Sequence, residues 1–193
     1  MSDSFEGILD LALPYYERGR PGDIEHIRWL FAVVPGFLKS TALDESIVMP
    51  VMLLHDVGYS EVPKDADPYE LDIRTLHSKK GALIAEKILK KIGYSDNKIS
   101  EVKRLILKHD DWAFGDSFSD EPVLQFFNNF DFMWMASPQG FRIVRGFMNK
   151  NPQEFYEQIK EFQKTNEEEG RKWYNQEIED YYEQLMSERK KEL

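Results

Sequence analysis

Apolar residues recur at helical spacing along most of the chain, and the alternating patterns and Asn-Gly turns that mark paired strands are scarce. Backbone hydrogen bonds must therefore close within helices. The spacing predicts helices over 5–18, 24–39, 44–58, 77–91, 95–109, 122–136 and 138–148, then one or two long amphipathic helices from Pro152, bent at Gly170. The Gly19-Arg20-Pro21-Gly22 break separates the first two helices. Asp23 is read as the cap of the second, its carboxylate accepting amide hydrogens of the first turn. Gly58 is read as a left-handed helix stop and Pro50 as a kink. Residues 59–76 carry Pro63, Pro68 and many acidic side chains, and are read as a long, partly ordered loop of the kind that closes over or lines binding sites. The fold class is an all-α bundle. One helical domain spans 1–150, and an amphipathic extension over 151–193 packs on it or on a partner subunit.

With 193 residues and 41% hydrophobic content, the chain can bury one sizeable core. Cysteine is absent, which removes disulfides, iron–sulfur clusters and thiol nucleophiles and fits a reducing compartment. The first residues have no basic start, and Asp3, Glu6 and Asp10 interrupt their apolar residues, so no signal peptide is expected. No apolar run is long enough to span a bilayer, which makes a cytoplasmic protein the default. The formal charge of −10 repels polyanions and argues against a nucleic-acid polymer or an anionic membrane as partner. A small phosphate ester stays open, because bound divalent cations reverse the sign locally.

The chain has only four histidines, His26, His55, His77 and His109, and each sits in a helical segment or at its end. With Asp56 and Asp131 they make a spaced set of imidazole and carboxylate groups, the donors that divalent first-row metals prefer. On helices, such ligands can meet in the interior of a bundle although they are far apart in sequence. His55 and Asp56 are adjacent and in a regular helix would diverge by about 100°. At an unravelling helix end both can face one centre, or Asp56 can bridge two. Asp110 and Asp111 are read chiefly as a hydrated helix end.

The order His, His-Asp, Asp on an all-helical chain resembles the HD superfamily of metal-dependent phosphohydrolases. The local segments carry the resemblance: LLHDVG, HSKKGALIAEKILKKIG, VKRLILKHD and FFNNFDFMWMA, within about 26–136. It implies an HD-type bundle with His26, His55, Asp56 and Asp131 at the core metal site. In two-metal members, further histidines match His77 and His109, and the aspartate matching Asp56 bridges the ions. This chain departs at Tyr59, where many members carry a lysine, and at Phe130, a bulky residue before the final aspartate.

The resemblance implies hydrolysis of a small phosphate ester, a nucleotide above all, as monoester or diester, by metal-activated water. One or two ions of manganese, iron, cobalt or nickel would serve, with magnesium also admitted. Catalytic parts fall to Asp56, His77 and His109, and phosphate contacts to Lys79, Lys80 and Arg145. Two other readings stand beside it. Some members with a similar six-ligand pattern hold di-iron and cleave carbon–carbon or carbon–phosphorus bonds with dioxygen. The third is a non-catalytic, metal-stabilised interaction module. The aromatic seam of the tail also suggests a homodimer.

Overall fold

The structure, a computed structural model, describes residues 2–193, and among them every regular element is helical. The chain divides into two compact units, Met1–Asp116 and Ser117–Leu193. This division falls upstream of 150/151, because the helices over 122–147 associate with those that follow. No helix among the described residues is long and apolar enough to cross a membrane.

The first unit holds α1 (Ser2–Tyr16), α2 (Asp23–Leu38), α3 (Glu45–Leu54), α4 (Leu71–Ile92) and α5 (Asp96–Lys108). Asp44 caps α3, accepting a hydrogen bond from the Ser46 amide at 2.8 Å. Residues 47–54 are all buried, so α3 is apolar on every side and forms the middle of the unit, against α1, α2 and α5. The helix continues through Pro50.

Three local expectations are corrected. The residue before α2 is Gly22, at φ +90°, and Asp23 is its first helical residue; the Asp23 carboxylate turns back to accept the Arg20 amide at 3.2 Å. The expected loop is shorter than predicted: a 3-10 turn covers Val57–Glu61 and α4 begins at Leu71, which leaves 62–70 as turns and bends between them. Leu71 and Asp72 are exposed, so the first turn of α4 carries no apolar stripe that sequence could register. Gly58 is not left-handed. A Cβ there would lie 1.9 Å from the His77 carbonyl oxygen, so glycine is required for close approach rather than for its dihedral freedom. Gly81 faces the same seam, its Cβ position 3.2 Å from the His55 carbonyl oxygen. These two glycines bring the end of α3 against α4, and Gly93, at φ +89°, ends α4 as the sequence predicts.

The second unit comprises α6 (Pro122–Met133), α7 (Pro138–Phe147), α8 (Pro152–Glu168) and α9 (Gln176–Lys190), with proline opening the first three. Asn151 and Glu154 form a reciprocal capping box on α8. The chain turns at Gly170, φ +77°, so the tail is two helices. Asn129 of α6 holds the segment after that turn, donating to the Lys172 carbonyl at 3.2 Å and accepting from the Tyr174 amide at 2.8 Å.

Candidate metal centre

All four histidines are buried, and in the first unit they gather around Asp56. His26 comes from the first turn of α2, His77 from α4, and His55 and His109 from the ends of α3 and α5. Ring centres are 5.3 Å apart for His26 and His55, 5.4 Å for His55 and His109, and 5.1 Å for His77 and His109. Two triads, His26-His55-Asp56 and Asp56-His77-His109, each bring their ligand atoms within 4.8 Å of one another. Asp56 is common to both. Its Oδ2 lies 3.2 Å from His55 Nε2, while its Oδ1 lies 3.4 Å from His77 Nε2 and 3.6 Å from His109 Nε2.

The helix ends explain how adjacent residues share a focus. His55 keeps helical dihedrals, but Asp56 moves to φ −101°, ψ 2°, the region between helix and strand, and its carboxylate swings toward the imidazoles. The same step recurs after α5, where His109 is helical and Asp110 lies at φ −98°, ψ 6°. In both, the histidine Nδ1 faces the carbonyl three residues back: Met52 at 3.1 Å for His55, Ile106 at 2.6 Å for His109. His77 Nδ1 faces the Ile73 carbonyl at 3.3 Å. A carbonyl only accepts, so each ring places a hydrogen on Nδ1, and in the neutral ring the Nε2 lone pair is then directed inward. The Nε2 atoms of His77 and His109 are 3.2 Å apart, close enough to share one proton or to face one cation. Buried imidazole and carboxylate donors so arranged fit a divalent first-row ion.

Two arginines border the cluster, and neither was singled out as a site residue from sequence. The Arg20 guanidinium donates to Asp56 Oδ2 and to Asp23, at 3.0 Å from Nη2 and 3.2 Å from Nε. It lies 3.6 Å from the ring centre of Tyr59, which also stacks on His77 at 4.0 Å. One ring face cannot hold both, so Tyr59 is sandwiched between them. At the other end, Arg74 pairs with Asp110 at 3.0 Å and lies over Trp112, whose indole N–H donates to Asp110 at 3.1 Å. Asp110 Oδ2 is 3.7 Å from His77 Nε2, so this residue is buried beside the cluster rather than hydrated at a helix end.

Burial pushes Asp56 up, but Arg20, His55 and His109 outweigh it and hold its carboxyl well below the usual range, so it is ionised at neutral pH. Burial raises Asp23 to about 6 against the pull of Arg20. Burial, then His55, lowers His26; burial also lowers His77. For His109, burial lowers the value but Asp110 and Asp56 prevail and raise it.

Lys79 is exposed on α4 and lines a cleft of about 90 Å³ with Arg74, Leu107, Asp110, Asp111 and Phe114. Lys80 is half-buried on the same helix. Asp131 on α6 and Arg145 on α7 are half-buried and belong to the second unit. A family model described as HD domain matches residues 24–189. No curated protein and no solved structure matches the chain.

Proposed function

The chain belongs to the HD domain family, and from that premise we propose that it is a metal-dependent phosphohydrolase acting on a small phosphate ester, a nucleotide in the first instance. The observation that supports this most directly is the sharing of Asp56 by two triads, its Oδ2 beside His55 and its Oδ1 beside His77 and His109. A divalent ion held there supplies a water acidified toward neutrality as nucleophile and offsets charge on the phosphoryl oxygens. The protein's part is preorganisation. Backbone carbonyls fix the imidazole rings at Nδ1, so His55, His77 and His109 keep Nε2 available without rearrangement. Asp56 stays ionised, and burial of the cluster keeps bulk water from competing. With a single ion, His77 and His109 are left to hold a proton for the leaving oxygen. Lys79, exposed at the cleft beside Asp110, is the most accessible of the expected phosphate-binding cations; Lys80 and Arg145 have this part on the sequence reading alone.

The test is release of phosphate or of alcohol from nucleotides and generic esters by protein of measured metal content, loaded in turn with manganese, iron, cobalt, nickel and magnesium. Turnover is expected with at least one metal, falling by at least about a hundredfold in Asp56→Asn. No turnover with any metal would end the hydrolase reading. A carboxylate shared between two imidazole pairs also suits a di-iron oxygenase. Oxygen consumption by iron-loaded protein, with no phosphate released, would move the assignment there.

A further inference from the structure

Arg20 stands out from the other cations of the first unit by how it is held. Its Nε and Nη2 are fixed on Asp23 and Asp56, and its flat face lies on Tyr59. A guanidinium carries five N–H groups. Among the described residues, Nη1 makes no hydrogen bond or ion pair, and 34% of the side chain remains exposed. Arg74, built on Asp110 and Trp112 in the same manner, has only 11% of its side chain exposed. One arginine is closed in; the other remains partly accessible.

We propose that Arg20 is a substrate-binding residue, whose Nη1 edge takes a phosphoryl oxygen of the ester beside the carboxylate that joins the two imidazole pairs. The inference rests on the phosphohydrolase reading and assigns a residue to its substrate. Three features favour this over a structural ion pair. Asp23 and Asp56 grip one edge of the fork and orient the other, which lowers the entropy cost of recruiting an oxyanion. The Tyr59 ring fixes the plane of the guanidinium, and through its stack on His77 ties that plane to the cluster. Two buried carboxylates against one guanidinium leave the neighbourhood able to accept further positive charge, so Arg20 need not be displaced when the centre is loaded.

The test is calorimetric titration of manganese-loaded wild-type protein, Arg20→Lys and Arg20→Gln with inorganic phosphate, with manganese affinity measured separately for each. Arg20→Gln is expected to bind phosphate at least about tenfold more weakly than wild type, with Arg20→Lys between them. Manganese binding is expected to hold in both variants, since Asp56 and the imidazoles are untouched. Unchanged phosphate affinity in Arg20→Gln would overturn the proposal. So would a loss of phosphate binding matched by an equal loss of manganese, or a manganese-loaded wild type that binds no phosphate. Wild-type turnover is read independently, so a working hydrolase whose KM is unmoved in Arg20→Gln refutes this inference and leaves the hydrolase reading intact.

Discussion

Asp56 is the residue on which both triads depend, because it belongs to both, with Oδ2 beside His55 and Oδ1 beside His77, and its charge survives burial only with cationic neighbours. Asp56→Asn is expected to lower bound metal to background in elemental analysis after dialysis, whereas His26→Ala and His77→Ala, each confined to one triad, are expected to lower it by different amounts if one ion binds and equally if two do. Equal metal content in Asp56→Asn and wild type would remove it from the ligand set. Asp131→Asn tests in the same way the part that family membership suggests for Asp131. The histidines were legible because few residue types can serve as ligands and this chain has four imidazoles in all. Arg20 and Arg74 were not. What an arginine touches depends on where the backbone carries it, and in sequence Arg20 is one residue of a Gly-Pro break. Tyr59, read only as a departure from the family lysine, is the ring that carries the Arg20 guanidinium.

At the scale of elements, the centre depends on how closely the end of α3 approaches α4. Gly58→Ala would place a methyl group 1.9 Å from the His77 carbonyl, and no rotamer can relieve a backbone clash. The expected cost is about 2 kcal/mol or more in urea denaturation of the metal-free protein. Gly81→Ala, whose Cβ would lie 3.2 Å from its nearest neighbour, is expected to cost less. Equal, small effects would mean that the seam can widen freely. The glycine was visible in the sequence but its reason was not, since a helix stop and a close contact leave the same letter. The long helices were legible from their periodicity and from their proline and glycine ends. The start of α4 escaped because its first turn is exposed and follows two prolines. The recurrence of one His-Asp step after α3 and after α5 needed dihedral angles to be seen.

For the whole molecule, the all-helical class followed from the period of the apolar residues, and the described residues carry no other regular structure. The unit boundary at 116/117 was hidden, because it depends on which helices associate, and amphipathic stripes on α6 to α9 do not name their partners. A charge of −10 around a site proposed for an anionic substrate calls for concentrated local positive charge, which bound cations and Arg20 would provide. The most direct measurement is anomalous diffraction from crystals of manganese-loaded protein whose metal content has been determined. Density is predicted at both triads, within about 2.2 Å of the Nε2 atoms of His26 and His55 and of His77 and His109, with Asp56 reaching both peaks. Bound manganese located away from Asp56 and all four imidazoles would contradict the metal centre on which the proposed function stands.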